Sequence, residues 1–279
     1  MLTDARTASP STGLEAHAKR VRKLAVRALW QELVTYPKPG LVSLVDCGSH
    51  HDMDAATFAR SAFALRSYFE AASLAGAAGA SFEVLRRLGI EAEQRMLRAT
   101  QGVNTHLGAI FNIGLLAAAA GAPQDQRTLG AVIRETWGPA LAMHCRDPSS
   151  HGARAGAKFR TGGALAEAMA GFPSVFDLAL PAYRAVLARG GSANQARLQA
   201  FFSLMGQLAD TNLLHRGGAA GLQLARDLAL EFLDQGGVFG SDWLERARAA
   251  HRIFCVQGLS PGGSADLLAA CVFVHSLEA

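Results

Sequence analysis

Helical periodicity runs through almost the whole chain, and it limits the fold more than any other feature. Apolar residues recur at three- and four-residue spacing, as on one face of a helix, and glycine, proline and serine interrupt the pattern. No segment alternates at period two for long enough to make a credible sheet. The pattern therefore predicts an all-α protein, with helices near residues 14–35, 55–74, 82–100, 106–120, 125–145, 161–170, 176–189, 193–213, 219–235, 241–256 and 263–277.

The sequence offers no point at which to divide these helices into domains. Its 279 residues are enough for one sizeable core, no fixed-period repeat is visible, and no long linker separates two halves. We expect a loose N-terminal tail over residues 1–13 and a single helical domain over residues 14–279. The residues expected to start helices are Asp54, Ser81, Ser192, Ser241 and the pair Ser260-Pro261.

Composition and charge narrow the classes of partner. Half of the residues are hydrophobic but only 7% are aromatic, and alanine and leucine dominate, which favours helices with small side chains at close contacts. The net charge of +4 without a long basic run gives nucleic-acid binding little support. The longest apolar stretch, around Ile113 to Ala122, is too short to span a bilayer, and the cysteines form no C-x-x-C pair. We expect a soluble, cytoplasmic protein that binds neither nucleic acid nor membrane.

The polar turn at residues 102–108 is the most informative local motif. Asn104, Thr105 and His106 lie between two glycines, directly before an apolar helix. Three consecutive polar side chains can converge on one ligand only at a turn or a helix start. With Asn104 or Thr105 as N-cap, free N–H groups and the positive end of the helix dipole lie beside them, which suits phosphate. An ordinary capped helix is the alternative.

One connection before this turn and one after it contain side chains that could bind a metal or phosphate. In residues 37–54, the dipeptide His51-Asp52 and nearby carboxylates could bind a divalent metal, although Asp54 also has the plain role of helix cap. In residues 150–163, Lys158 and Arg160 could belong to a lid that brings cations to phosphates. An ordinary exposed loop explains this second segment equally well.

Two later connections are also polar and rich in glycine. In residues 210–218, Asp210 and Asn212 could meet one ligand only if the helix ends or distorts, and Gly217-Gly218 is expected to supply that break. In residues 260–268, Gly262-Gly263 at a helix N-terminus would let an anion approach the backbone, and Asp266 would then need a metal between itself and phosphate. The plain alternatives are a solvated helix end and a glycine-rich cap.

Taken together, these segments resemble the triphosphoribosyl-dephospho-CoA synthase family, which serves citrate lyase and malonate decarboxylase. The matching stretches follow one another in order from about Glu32 to Leu268: Pro37-Lys38-Pro39-Gly40-Leu41-Val42, Gly48-Ser49-His50 with Asp52-Met53, Leu85-Arg86-Arg87-Leu88-Gly89-Ile90 leading into Glu93, Gly102-Val103-Asn104-Thr105-His106, Asp210-Thr211-Asn212-Leu213-Leu214 and Ser260-Pro261-Gly262-Gly263-Ser264-Ala265-Asp266. The chain departs from the family at Leu107 and near Leu165, where basic residues are usual. Arg160, Lys158 or Arg216 would have to compensate.

The resemblance implies that the 5-triphosphoribosyl group of ATP moves to the 2′-hydroxyl of 3′-dephospho-CoA and that adenine is released, with Mg²⁺ holding the triphosphate. Such a site must stabilise an oxocarbenium-like cation, supply a base and a donor, and exclude water. The roles that follow are catalytic for Asp52, Glu93 and His106, metal-binding for Asp210 and Asp266, and phosphate- or substrate-binding for Lys38, Gly40, His50, Asn104, Thr105, Asn212, Arg216, Gly217, Gly262, Gly263 and Ser264.

Two other functions stay open at the level of sequence. The first is an all-helical metal-dependent phosphohydrolase built around His50, His51 and Asp52, with further ligands from His106, His144, His151 and His215. The second is a non-catalytic module that binds a nucleotide or CoA. A homodimer is also left open, as is the choice between malonate decarboxylase and citrate lyase as the enzyme that receives the product.

Overall fold

A computed structural model describes residues 10–145 and 163–279 of the chain. All regular structure within those residues is helical, which confirms the all-α prediction. The elements are α1 (Pro10–Leu33), α2 (Ala55–Ala64), α3 (Arg66–Ala77), α4 (Phe82–Ala99), α5 (Leu107–Gly121), α6 (Leu129–Thr136), α7 (Gly138–Cys145), α8 (Gly163–Ala170), a π-helical turn (Ser174–Ala179), α9 (Leu180–Ala188), α10 (Ala193–Gln207), α11 (Thr211–Asp234), a 3₁₀ turn (Gly237–Phe239), α12 (Trp243–Gln257) and α13 (Gly262–Glu278).

Helices α5 and α13 form the centre of a single hydrophobic core. Most residues along both helices are buried, and α5 packs against α1, α3, α4 and α13. A helix that is apolar on all sides belongs in a core. Small residues allow α3 to approach α5 at backbone distance, because a Cβ atom on Gly76 would lie 1.9 Å from the carbonyl oxygen of Ala118. The alanine- and glycine-rich composition thus has a structural reason.

Two of the predicted helices are each divided in the structure. The helix expected over 55–74 bends at Leu65, and the one expected over 125–145 begins at Leu129 and bends at Trp137. Leu65 keeps a nearly helical backbone (φ −83°, ψ −10°) with no glycine or proline beside it, whereas Trp137 (φ −117°, ψ −9°) is followed directly by Gly138 and Pro139. No single described helix has the length and apolar character to cross a membrane, although the consecutive pair Gly163–Ala170 and Ser174–Ala188, bent by 79°, passes that test together.

The largest difference lies at the polar segment 210–218. The helix expected over 193–213 ends at Gln207, and α11 begins at Thr211 with Asp210 as its N-cap. The prediction of a backbone break at Gly217-Gly218 is confirmed at Gly218, which has φ 60° and ψ −158°, but the helix resumes after it. The sequence predicted that Asp210 lies near the C-terminal end of a helix. In the structure it lies at the N-terminal start of α11.

The predicted helix starts have mixed outcomes. The side chain of Asp54 accepts a hydrogen bond from the N–H of Thr57 at 2.8 Å, and Ser192 forms a capping box with Gln195. Ser81 holds the N-cap position of α4 without a side-chain hydrogen bond. The prediction for Ser241 was wrong, since Asp242 precedes α12, and for the last helix Pro261 is the residue that precedes Gly262.

Candidate active site

The N-termini of α5, α11 and α13 meet beside the C-terminal end of α1. We call the polar residues at this meeting point the central cluster, which comprises Glu32, Lys38, His106, Asp210, Ser264 and Asp266. Some of these residues form hydrogen bonds or ion pairs with one another, and others interact through their charges. Each side chain is buried or half-buried. Helix N-termini present unpaired N–H groups and the positive end of the helix dipole, so this geometry favours an anion.

Asp210 ties two of these helix ends together. One carboxylate oxygen accepts the N–H of Asn212 at 2.9 Å and of Leu213 at 3.4 Å, while the other accepts the N–H of Ser264 at 2.8 Å and its hydroxyl at 3.1 Å. Burial raises the pKa of Asp210, and these donors oppose the shift. Because a carboxylate has about four lone-pair positions, Asp210 serves first as a clamp between α11 and α13.

Asp266 faces the start of α5 from the first turns of α13. A Cβ atom on Gly108 would lie only 1.9 Å from Asp266 Oδ2, so the carboxylate lies directly against the backbone of that glycine. Burial raises the pKa of Asp266 well above its ordinary value, and the charges of Glu32 and Asp210 raise it further. The N–H of Ala109 opposes the shift. Burial and these two negative charges disfavour the ionised form of Asp266, so a proton or a cation beside it is favoured.

Lys38 and Glu32 form a buried ion pair at the base of the cluster. Lys38 Nζ donates to the backbone carbonyl of Glu32 at 2.5 Å and to its carboxylate. The exposed fraction is 1% for Lys38 and 6% for Glu32. Burial lowers the pKa of Lys38, and Glu32 opposes that shift. Sequence reasoning missed Glu32, because a glutamate at the end of an amphipathic helix has the pattern of an ordinary surface charge.

His106 is buried at the start of α5, where it is the N-cap residue in place of Asn104 or Thr105. Its Nδ1 atom lies 2.6 Å from Ser61 Oγ, and Phe58 packs edge-on against the ring, with 4.9 Å between centroids. Within residues 10–145 and 163–279, its Nε2 atom has no hydrogen-bond partner although it is buried. Burial lowers the pKa of His106 to about 3, with a smaller effect from the charge of Lys38.

We expect the pKa of His106 to make the protein sensitive to mild acid. The unfolded chain takes up a proton on this imidazole as the pH falls through about 6.5, whereas the folded chain does so only near 3. Stability is therefore complete above pH 6.5 and decreases toward pH 3, with a loss of about 2 kcal/mol at pH 5 from this residue. Urea unfolding at pH 7 and pH 5 should show this loss in the wild type and not in His106→Gln. An equal loss in both proteins would contradict a neutral His106.

A second group, the rim cluster, comprises Ser49, His50, Asp52, Arg216 and Ser260. Arg216 donates to His50 Nδ1 at 3.2 Å, and His50 Nε2 lies 2.9 Å from Ser260 Oγ. Arg216 also donates to the carbonyl of Gly258 at 3.0 Å. Burial and the charge of Arg216 lower the pKa of His50. These contacts join the segment after α1 to the segment that leads into α13, so both clusters border one region.

Asp52 and Glu93, the two candidate bases, lie outside the central cluster. Asp52 belongs to the rim, with its side chain 64% exposed and one oxygen 3.7 Å from His50 Nδ1. Glu93 is half-buried on α4, and in the part of the chain that the structure describes it forms no hydrogen bond or ion pair. Neither position tests the role of base, which stays a prediction.

The remaining predicted binding residues have local contacts of their own. Asn104 accepts the N–H of Leu107 at 3.1 Å, and Thr105 donates to Ser61 at 2.8 Å. The glycines at the site permit close packing. A Cβ atom on any of them would approach another group within about 3 Å: Leu259 for Gly40 and Gly217, Asn212 for Gly262, and Asp210 for Gly263.

The positions where the chain departs from the family differ in exposure. Leu107 is 42% exposed at the first residue of α5, close to the central cluster, whereas Leu165 is buried against the core from α8. Lys158 and Arg160, named above as possible compensating cations, lie outside the described residues. Arg216 is described, and its donors are directed at the rim cluster.

The described residues contain no three histidine, cysteine, aspartate or glutamate side chains close enough to hold a metal ion by themselves. A phosphohydrolase built on His50 and His51 would need such a set, and His151, one of its expected ligands, lies outside the described residues. Asp266 and its neighbours fit a different demand. Mg²⁺ is commonly held by one or two carboxylates together with the phosphates of a bound nucleotide.

Comparison with known proteins adds an independent line of evidence. The chain matches the family CitG, described as ATP:dephospho-CoA triphosphoribosyl transferase, over residues 18–279. It is 41% identical over 272 residues to a protein of Acinetobacter calcoaceticus named "Probable 2-(5''-triphosphoribosyl)-3'-dephosphocoenzyme-A synthase", and the match covers 95% of this chain and 93% of that protein. It is 38% identical over 283 residues to the "2-(5''-triphosphoribosyl)-3'-dephosphocoenzyme-A synthase" of Klebsiella pneumoniae, covering 94% and 92%. No solved structure matches the chain.

Proposed function

This chain belongs to the family of ATP:dephospho-CoA triphosphoribosyl transferases, and we propose that it transfers the 5-triphosphoribosyl group of ATP to the 2′-hydroxyl of 3′-dephospho-CoA with release of adenine. The observation that carries this proposal, beyond the resemblance itself, is the central cluster. It combines N-termini of three helices, which suit a triphosphate, with buried carboxylates, which suit a positively charged ribosyl group.

The carboxylates have a distinct task in this reaction. Breaking the bond between ribose and adenine leaves positive charge on the sugar, and carboxylate groups close to that charge lower its energy. Asp266 is the best placed for this contact, because Asp210 uses its oxygens to join two helices and Glu32 is paired with Lys38. Asp266 thus either faces the ribosyl group directly or holds the cation that accompanies the triphosphate.

Mg²⁺ is part of the proposal. Asp266 would hold the ion together with oxygens of the triphosphate, while Asp210, whose oxygens already accept hydrogen bonds, would contribute its negative charge. The ion would neutralise the phosphate charge that Asp266 would otherwise repel. Lys38, Asn104, Arg216 and the Gly262-Gly263-Ser264 turn stay as predicted phosphate contacts. The protein's own contribution is to keep the helix ends and the carboxylates in fixed positions.

Proton transfer is divided between two regions in this proposal. His106 is neutral, so it acts as a hydrogen-bonding group toward the adenine or a phosphate and does not act as an imidazolium acid. Asp52 at the rim or Glu93 on α4 takes the proton of the 2′-hydroxyl of the acceptor. A homodimer, a cytoplasmic location and the enzyme that receives the product remain predictions.

Incubation with ATP, Mg²⁺ and 3′-dephospho-CoA should produce adenine. Chromatography would quantify adenine, ADP and AMP, and the matched control omits dephospho-CoA. Adenine that appears only with the acceptor would support ribosyl transfer. ADP, AMP or phosphate would contradict it and favour the phosphohydrolase, and nucleotide binding without turnover would favour the non-catalytic module. Adenine without acceptor would indicate hydrolysis of ATP at its glycosidic bond.

A further inference from the structure

The Nε2 atom of His106 is a buried hydrogen-bonding group with no partner in the described parts of the chain. His106 is 4% exposed, and its other polar atoms are occupied: Nδ1 by Ser61, and the backbone N–H by the sulfur of Met96 at 3.3 Å. Buried polar groups are almost always paired, so an unpaired one at a candidate site needs an explanation. A ligand that enters the central cluster would supply the missing partner.

Two hydroxyl groups form a hydrogen-bonded chain that ends at the Nδ1 atom of the ring. Thr105 Oγ1 donates to Ser61 Oγ at 2.8 Å, and Ser61 Oγ lies 2.6 Å from His106 Nδ1. Each hydroxyl has one proton to donate. Because Ser61 accepts from Thr105, its own proton is free to point to Nδ1, and in that arrangement Nδ1 is the acceptor. A neutral imidazole with Nδ1 unprotonated carries its proton on Nε2.

We propose that Ser61 is a positioning residue for His106: its hydroxyl, oriented by Thr105, keeps the ring proton on Nε2 and so prepares a hydrogen-bond donor for an acceptor atom of ATP. This inference rests on the proposed function for the identity of the ligand. The acceptor is either an oxygen of the triphosphate or a nitrogen of the departing adenine. Both atoms would accept from the same donor. A bond to the triphosphate would act when ATP binds, whereas a bond to adenine would act when the glycosidic bond breaks.

The fold holds Ser61 in place from an independent element. It is fully buried near the end of α2, whose first turn is fixed by the Asp54 cap. Phe58, one turn earlier on the same helix, packs against the ring edge-on, so α2 contacts His106 at two points. Burial lowers the pKa of His106 to about 3, so the ring is neutral at pH 7, as this arrangement requires.

A double-mutant cycle between Ser61 and His106 tests the proposal. Ser61→Ala should reduce the rate of adenine release by about 10-fold or more, because the ring is then free to adopt the wrong tautomer. Glutamine carries an N–H donor and has no tautomers, so Ser61→Ala should change the rate of a His106→Gln protein by less than about twofold. Equal losses in both backgrounds would overturn the proposal, since a purely structural role of Ser61 does not depend on the imidazole.

Nitrogen NMR of the histidine ring provides a readout that is independent of activity. The wild type should show a protonated Nε2 and an unprotonated Nδ1 for His106, and Ser61→Ala should shift this population. Thr105→Val should act in the same direction, with Thr105→Ser as the matched control that keeps the hydroxyl. A proton on Nδ1 in the wild type would overturn the proposal. If the wild type released no adenine, the proposed function would fail, and the NMR result would still decide the role of Ser61.

The kinetic constants separate the two acceptors. A contact with the triphosphate that exists before reaction should raise the KM for ATP in Ser61→Ala, and a contact with the departing adenine should lower kcat. Each result supports a donor on Nε2. Unchanged values of both constants would contradict it.

Discussion

Asp266→Asn is expected to reduce adenine release by about 100-fold or more while the protein becomes no less stable. The carboxylate lies among the charges of Glu32 and Asp210, and its pKa is raised in the folded protein. A raised pKa means that folding disfavours the ionised form, so at neutral pH the charge lowers the stability of the native state. Asparagine removes the charge and keeps the shape. Adenine release and urea unfolding, measured on the same preparation, would check both parts.

Asp210→Asn is the matched control for this result. Both oxygens of Asp210 accept hydrogen bonds from α11 and α13, and an amide would direct its own N–H groups at one set of these donors. We therefore expect a loss of about 1–3 kcal/mol in the free energy of unfolding for Asp210→Asn. If Asp266→Asn kept full activity, the electrostatic role would be wrong. If it lost stability as Asp210→Asn does, Asp266 would be a structural residue.

The helical fold could be predicted because its signal is repeated along the chain. Periodicity identifies a helix wherever one face is buried, and Asp54 and Ser192 start their helices as short polar residues commonly do. The interruption at Trp137 is marked in the sequence by the Gly138-Pro139 pair that follows it, but the one at Leu65 could not be predicted, because no glycine or proline lies beside it. The end of α10 at Gln207 was missed for the same reason: the three residues that follow contain no glycine or proline.

The candidate site, like the fold, could be predicted from the sequence only in part. Polar residues beside glycines at helix starts were visible in the sequence, and Lys38, His106, Asp210, Ser264 and Asp266 do meet in the structure. Glu32 and Ser61 were not visible, because each lies inside a helix and its importance arises from a contact with a distant segment. Such contacts depend on how the helices are arranged in space, and one sequence contains no direct record of that arrangement.

Lys38→Met is expected to lower the free energy of unfolding by about 3–5 kcal/mol, the largest effect on stability that we predict. The substitution keeps the length of the side chain but leaves the charge of Glu32 buried without a partner and close to Asp266. An unpaired buried carboxylate is more easily protonated, so the loss should become smaller as the pH falls. Urea unfolding at pH 7 and pH 5 would measure both effects.

The double variant Glu32→Gln with Lys38→Met separates the ion pair from the predicted phosphate contact. Removing both charges takes away the unpaired carboxylate, so stability should return most of the way to that of the wild type. If Lys38 also contacts the triphosphate, the KM for ATP should stay high in this stable double variant. A single Lys38→Met variant as stable as the wild type would contradict a structural role for the pair. A double variant with an unchanged KM would instead remove Lys38 from the phosphate-binding residues.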